Sequence, residues 1–202
     1  FKNTEKNEEK VLEAPPKENA LVKCNAPVTF ENCDFTDSFT NGIDIENSNN
    51  GSIINCRISN IPYRGINLKT SNYTISNTEV AFTGWHGIIA VQDSNVTVNS
   101  CKIHDSKRDG LWTGEKGKLV VESCEVYQIK FAGVCAFGEG SEIKVTNCKI
   151  HDVLENGGLV AAGKGKLSAY GCEIYQTYAG VVSVFEGSQV SVTDCKIHNI
   201  EG

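Results

Sequence analysis

The sequence predicts an all-β fold, a single-stranded parallel β-helix of about eight coils with about 23 residues per coil. Three observations carry this prediction: a phrase that recurs at a fixed period, a glycine that keeps the same period, and gaps too short for a helix. The phrase reads SCKIHD at 100–105 and alternates with SCEVYQ at 123–128. Its cysteines are spaced 23, 24, 24 and 23 residues apart, at Cys101, Cys124, Cys148, Cys172 and Cys195, and Cys33, Cys56 and Thr78 extend the register towards the N-terminus.

Each unit contains alternating apolar and polar residues, which is the pattern of a strand. In NVTVNSCKIHD, Val96, Val98, Cys101 and Ile103 are expected to face inward, with a shift of parity near residues 99–100. A second short strand follows each glycine that keeps the period, here called a marker glycine. The gaps between strands hold only about three to six residues, too few for a crossover helix, so successive coils must stack about 4.8 Å apart. The marker glycines are Gly42, Gly65, Gly87, Gly110, Gly133, Gly158 and Gly180.

Stacking of the coils explains why the repeated phrase alternates between two sets of residues. The residue after the cysteine slot changes sign at every coil, so each charge lies between two opposite charges. This column reads Asp34, Arg57, Glu79, Lys102, Glu125, Lys149, Glu173, Lys196. Two positions further on, histidine and tyrosine alternate, and a tyrosine separates each pair of histidines. We therefore interpret this second column as stacked, half-exposed aromatic rings and expect no metal site there.

The phrases GSEIKVTNCKIHD, GSQVSVTDCKIHN and AGVVSVFEG resemble the right-handed parallel β-helix repeats of the pectin-lyase-like superfamily. The likeness covers about residues 24–202 and is strongest to carbohydrate-binding and sugar-hydrolase type repeats, including those in some F-box ubiquitin ligases. It implies a right-handed coil. It implies no single activity, because the same fold serves polysaccharide lyases, hydrolases, epimerases, phage tail spikes and non-catalytic scaffolds.

Composition predicts one domain and a tail. Residues 1–20 are charged and nearly free of large apolar groups, so we expect a flexible arm or linker, followed by a β-helix domain over 21–202. The chain stops where the next marker glycine would begin a strand, which predicts an uncapped or truncated C-terminal coil. An N-terminal Phe1 and the absence of methionine suggest a processed chain or a fragment.

Charge and hydropathy exclude two classes of partner. A net charge of −6 argues against nucleic acid, which needs a basic patch. The sequence contains no run of 18 apolar residues, so it predicts no membrane span, and no signal peptide is recognisable.

The cysteines bear on localisation. Seven of the nine cysteines share one inward column, where side chains point in parallel, so we interpret them as free buried thiols. Free thiols favour a reducing intracellular compartment. The sequons at Asn50, Asn72 and Asn95 keep a secreted location open.

One corner of the coil gathers groups that could bind a ligand. The residue before each marker glycine places Arg64, His86 and Asp109 on three successive coils. A His86 imidazole between a cation and a carboxylate could act as a general base, so these three are the catalytic candidates. The alternative is an ordinary turn column joined by a His–Asp contact and cation–π stacking. The candidate ligand-binding set is Tyr63, Arg64, Trp85, His86, Arg108, Asp109 and Trp112.

Another surface is predicted to be an interface. The outward positions after the marker glycine are polar in the first coils and apolar from the Gly87 coil onward. An exposed apolar stripe usually marks a contact with another chain or domain. The N-terminal arm, through Val11 and Leu12, is a second candidate for covering it. The predicted interface residues are Ile89, Val91, Trp112, Phe137, Val160, Val182 and Val184.

Two functions follow as hypotheses. The first is a non-catalytic scaffold or recognition module that binds another protein and could also bind an oligosaccharide. The second is a polysaccharide lyase, hydrolase or epimerase, or a fragment of one, acting on uronic-acid polymers. Short turns throughout predict a rod without an enzyme-like cleft, which favours the first hypothesis. No cofactor is expected for either.

Overall fold

The computed structural model describes residues 20–202, which form a parallel β-solenoid of eight coils with no helix in that range. Each coil contributes three strands, so the rod has three faces, numbered here in chain order. Face I consists of β1 (Ala20–Cys24), β4 (Asn41–Glu46), β7 (Ile66–Lys69), β10 (Ile88–Val91), β13 (Leu111–Thr113), β16 (Val134–Phe137) and the second halves of β18 (Lys149–Ala162) and β20 (Glu173–Val184).

The other two faces follow the same order. Face II consists of β2 (Thr29–Glu31), β5 (Asn49–Ile54), β8 (Asn72–Ser76), β11 (Asn95–Asn99), β14 (Lys118–Glu122), β17 (Glu142–Thr146), β19 (Lys166–Tyr170) and β21 (Gln189–Thr193). Face III consists of β3 (Asp34–Thr36), β6 (Arg57–Ile61), β9 (Glu79–Thr83), β12 (Lys102–Ser106), β15 (Glu125–Ile129), the first halves of β18 and β20, and β22 (Lys196–Ile200). Faces I and III are continuous through β18, whereas face II is a separate eight-stranded sheet.

The predicted register is confirmed. Lys102 pairs with Glu79 on one side and with Glu125 on the other. The aromatic column is also confirmed, because the His104 and Tyr127 rings stack 4.6 Å apart and the Tyr127 and His151 rings 5.3 Å apart. Each charge and each ring therefore has its partners one coil away.

The interior is one apolar core with a column of thiols. Five column cysteines are fully buried, and their thiols are free. The backbone N–H of Cys101 donates to Sγ of Cys124 at 3.4 Å, and the Cys101 thiol donates to the Asn99 carbonyl at 3.2 Å. The thiols thus pack as small apolar groups whose polar capacity is satisfied within the wall of the coil.

The predicted parity shift has a backbone cause. In every coil the residue before the cysteine slot has a positive φ, which turns the chain from face II to face III. Asparagine, aspartate and glycine tolerate this left-handed conformation best. These residues are Asn32, Asn55, Asn77, Ser100, Ser123, Asn147, Gly171 and Asp194.

The described residues include both ends of the predicted β-helix. Ala20 already belongs to β1, so the first strand begins one residue before the predicted boundary, and residues 1–19 lie outside the described residues. At the other end no described element covers the last coil, where Ile197 is 42% exposed. A cap from a further coil or a partner stays a prediction. Within 20–202 no helix is long and apolar enough to cross a bilayer.

Candidate functional site

The candidate corner lies at the turn from face III to face I, immediately before the marker glycines. These glycines bring successive coils into backbone contact. A Cβ added at Gly87 would lie 2.6 Å from the carbonyl oxygen of Gly110 and 2.7 Å from Cγ2 of Ile103. The close approach holds the residues that precede each marker glycine in register, so side chains from successive coils form columns.

The outer column of the corner alternates aromatic rings with a guanidinium. The Tyr63 and Trp85 rings stack 5.6 Å apart. The Arg108 guanidinium carbon lies 4.7 Å from the Trp85 ring centre and 5.4 Å from that of Phe131, and Arg64 lies 4.9 Å from the Tyr63 ring centre. Cation–π contacts of this kind hold a guanidinium in place while leaving its edge free to donate hydrogen bonds.

The inner column holds the three catalytic candidates, which the structure brings together. His86 Nδ1 lies 3.0 Å from Oδ2 of Asp109, although the two atoms are not aligned as a hydrogen bond. The Asp109 carboxylate also accepts the Ala132 N–H at 3.1 Å and lies 3.7 Å from Nε of Arg108. The carboxylate is thus fixed by the wall of the coil and by two neighbouring side chains.

Burial limits what His86 can do. His86 is 5% exposed and Asp109 is 1% exposed. Burial lowers the pKa of His86, and the Asp109 carboxylate only partly opposes that shift. The imidazole is edge-on to Trp85 and tilted against Trp112, at ring distances of 5.7 and 5.5 Å. A neutral imidazole enclosed in this way suits a structural contact better than a general base for a polymer.

A polar cluster beside Arg64 was not predicted as part of the site. The Asp44 carboxylate accepts N–H groups from the Asn41 amide at 3.0 and 3.1 Å and from the Asn67 amide at 3.0 Å. Asn67 is 2% exposed, and its Oδ1 has no hydrogen-bond partner, nor does the buried Nε of Arg64. The available signal was that Asn41 precedes a marker glycine and that Asp44 and Asn67 open the outward column that later becomes apolar.

An open groove of about 910 Å³ runs beside the corner. The prediction of a rod without a cleft is therefore wrong. The groove follows six successive turns from face III to face I, a length of roughly 24 Å at the strand spacing of a sheet. Phe39 and Leu154 are 96% and 66% exposed and form apolar walls, with Lys107 and Lys130 on the rim. Short turns still form a groove because the same kink recurs at every coil.

The apolar stripe is more covered than predicted. Ile89 and Val160 are each 3% exposed and Val91 is 6% exposed, so the expected exposure is wrong for this part of the stripe. They lie outside the interior core, and Val160 belongs to a second apolar cluster over which Trp112 and Phe131 pack. The bulky rings of neighbouring coils cover the small side chains. Exposure persists at Phe137, 46%, and at Val184, 39%.

The histidines of the aromatic column contact carboxylates. His104 Nε2 lies 3.0 Å from Oε1 of Glu79, and its Nδ1 lies 2.7 Å from Oδ2 of Asp105. The hydrogen bond to His104 holds the pKa of Glu79 below its usual value. Among residues 20–202 no three histidine, cysteine or carboxylate side chains are grouped as metal ligands.

Fold and corner together define a parallel β-helix with a corner of side-chain columns next to a groove, which is lined by the residues that precede these columns in each turn and by none of the predicted ligand-binding residues. The model of a family described as "Right handed beta helix region" matches residues 17–90 and 86–202. The chain therefore belongs to the right-handed β-helix family, and the predicted class is confirmed. A search of curated proteins finds no match.

Solved structures show the same fold at low sequence identity. The A-module of the mannuronan C-5 epimerase AlgE4 from Azotobacter vinelandii superposes with a TM-score of 0.69 and 12% identity, covering 87% of this chain and 61% of that one. The periplasmic alginate epimerase AlgG gives 0.60 and 16%, covering 85% and 51%. The pectate lyase Pel9A gives 0.60 and 11%, covering 84% and 59%. The chain thus spans about three fifths or less of these structures.

Proposed function

We propose that this chain is a non-catalytic recognition module that binds a carboxylate-bearing oligosaccharide along the corner and its groove. The observation that carries the proposal is the position of Arg108 between the Trp85 and Phe131 rings. Its side chain is 43% exposed, so the guanidinium is both fixed and reachable. A guanidinium pre-set in this way can bind a carboxylate through two parallel hydrogen bonds.

The remainder of the corner suits the rest of such a ligand. Sugar rings present C–H faces that pack against aromatic side chains, and Tyr63 and Trp85 offer two stacked rings in one column. The groove extends along several coils, which matches a linear chain better than a compact ligand. Lys107 on its rim has no ion-pair partner within the described part of the chain and can meet a second carboxylate.

Burial of the catalytic candidates favours binding over turnover. Proton abstraction needs a base within hydrogen-bond reach of the substrate, and His86 and Asp109 lie beneath the aromatic column. The alternative, a lyase, hydrolase or epimerase acting on uronic-acid polymers, draws support from the names of the structural neighbours. Those neighbours are at most 16% identical, a level at which only the fold carries over.

The test compares matched variants in binding to short uronate oligosaccharides. The parent chain should bind oligomannuronate or oligogalacturonate more tightly than an uncharged glucose oligomer in calorimetric titrations. Arg108→Gln should weaken uronate binding about ten- to a hundredfold, since a charge-assisted hydrogen bond contributes about 1.5–3 kcal/mol. The control Lys149→Gln removes the same charge from face III, outside the groove, and should change binding little.

Two results would overturn the proposal. If the parent fails to bind either uronate, or if Arg108→Gln binds as the parent does, the recognition site is not at this corner. If the parent forms unsaturated products, epimerised residues or new reducing ends from the polymers, and His86→Gln abolishes this while retaining its fold by circular dichroism, the protein is an enzyme.

We also propose that another protein chain or domain contacts the exposed end of the apolar stripe. Phe137 stacks on Trp112 at 6.2 Å and remains 46% exposed, and Val184 lies in the same outward column. An aromatic ring beside apolar side chains is typical of the centre of an interface. Phe137→Ser should abolish any concentration-dependent association of the chain in sedimentation experiments. Association that survives this substitution would place the contact elsewhere.

A further inference from the structure

A second cleft lies on the opposite side of face I, at the turn that leads to face II. Two kinds of turn alternate there. The turns EKGK at 115–118 and GKGK at 163–166 lie on either side of EGSE at 139–142, one coil apart in each direction. The cleft between them measures about 450 Å³, and it is lined by Lys118, Lys164 and Lys166 of the outer turns and by Gly187 of the turn one coil further along.

Glycines in these turns make room for lysine stems. Gly140 has a φ of +81°, and a Cβ there would lie 2.9 Å from Cγ of Lys116. Gly187 has a φ of +83°, and a Cβ there would lie 3.1 Å from Cγ of Lys164. Each lysine stem therefore lies over the glycine of the next coil, which directs positive charge along the turn column.

The charges in the cleft do not cancel. Glu139 is paired with Lys164 at 3.0 Å, and the Glu142 carboxylate lies 3.8 Å from Nζ of Lys144, which belongs to a neighbouring outward column. Lys118 and Lys166 flank Glu142 in register, yet neither has an ion-pair partner among residues 20–202. Three lysines, Lys118, Lys164 and Lys166, thus line the cleft with two glutamates in a chain whose net charge is −6.

An unused hydroxyl donor lies at the floor of the cleft. Ser141 is fully buried, and its Oγ has no hydrogen-bond partner among the described residues. The equivalent serine in an earlier coil behaves differently, because Oγ of Ser94 donates to the Val91 carbonyl at 2.6 Å. A buried hydroxyl without an acceptor is uncommon, and an acceptor supplied by a ligand would satisfy it.

We propose that this cleft binds a tetrahedral oxyanion, the phosphate or sulfate group of a small ligand, over the Gly140–Ser141 turn. The Cα atoms of Lys118 and Lys166 are two coils apart, roughly 9–10 Å, so their ammonium groups can approach one anion from both sides. Ser141 supplies a neutral donor beneath it. The site is separate from the uronate corner and does not depend on it.

The test uses inorganic phosphate and inorganic sulfate as probes, with sodium chloride at matched ionic strength as the reference. Amide resonances of residues 139–142 and 164–166 should shift saturably with at least one oxyanion and not with chloride. If only phosphate binds, the proposed ligand carries a phosphate group, and if only sulfate binds, it carries a sulfate group. The double variant Lys118→Gln/Lys166→Gln should weaken binding at least tenfold, and Ser141→Ala should weaken it several-fold.

Two controls make the result decisive. Lys102→Gln/Lys149→Gln removes the same two charges from face III and should bind the oxyanion as the parent does. Arg108→Gln should also bind it normally, which separates this site from the carbohydrate corner. The inference is overturned if neither oxyanion shifts these resonances beyond the effect of chloride, or if the face III control weakens binding as much as the cleft variant.

Discussion

Replacing Lys102 by glutamate would place three carboxylates in one column, because Lys102 pairs in register with Glu79 and Glu125. Nζ of Lys102 lies 4.0 Å from Oε2 of Glu125, and the two side chains are 61% and 37% exposed. Like charges on adjacent strands cost roughly 0.2–1 kcal/mol per pair. Two new pairs therefore cost about 0.4–2 kcal/mol, and screening at this exposure reduces the expected value to about 1 kcal/mol.

The comparison with Lys102→Gln isolates this repulsion, because glutamine removes the attraction and alters the side-chain stem in a similar way. The free energy of unfolding should be lower for Lys102→Glu than for Lys102→Gln by about 1 kcal/mol in urea titrations at low salt. The difference should shrink in about 1 M salt, where the screening length is about 3 Å. Lys107→Glu, at an exposed site outside the charge column, should cost much less.

Two outcomes would refute the reasoning. Equal stability of the glutamate and glutamine variants at low salt would mean that the alternating charges do not contribute to register. A difference that stays the same at high salt would mean that packing, rather than charge, distinguishes the two variants.

Three further predictions concern stability and reactivity. Gly87→Ala should cost about 2 kcal/mol or more in denaturant titrations, because its Cβ would meet the Gly110 carbonyl at 2.6 Å; a loss under about 0.5 kcal/mol would contradict this. The pKa values of His86 and Glu79 are lowered in the fold, which favours their deprotonated forms, so their contribution to the free energy of unfolding is present above pH 6.5 and 4.5 respectively and is lost on acidification. His86→Gln should therefore flatten the fall of the free energy of unfolding between pH 7 and 5. An unchanged slope would argue against this contribution. Burial raises the pKa of Cys135, so a thiol reagent at pH 8 should modify it only after unfolding, whereas the partly exposed Cys24, Cys33 and Cys195 can react earlier; rapid labelling located at Cys135 itself in the native chain would disprove its enclosure.

Predictions that depend only on register could be made from the sequence. The charge column, the aromatic column and the thiol column each follow from one fact, that residues about 23 apart lie on top of each other. The approximate neighbours of Lys102 or His104 can therefore be read directly from the sequence period. The three corner candidates Arg64, His86 and Asp109 were brought together for the same reason.

Predictions that depend on the volume around a side chain could not be made in this way. His86 is enclosed because Trp85 and Trp112 lie against it, and the period says nothing of how far rings from adjacent coils extend. Ile89 and Val160 point away from the interior and are nevertheless buried. An outward position in a strand is therefore not the same as an exposed one.

The sequence by itself determined the coil, its period, its register and the faces on which the columns lie, because in a stacked solenoid the separation along the chain translates directly into the neighbour across the sheet. Only the tertiary structure decided where the surface opens and closes. The groove beside Arg108, the covered apolar stripe and the unpaired lysines around Ser141 arise from turn shape and side-chain packing between coils. These are properties of three-dimensional volume, which a one-dimensional repeat does not specify.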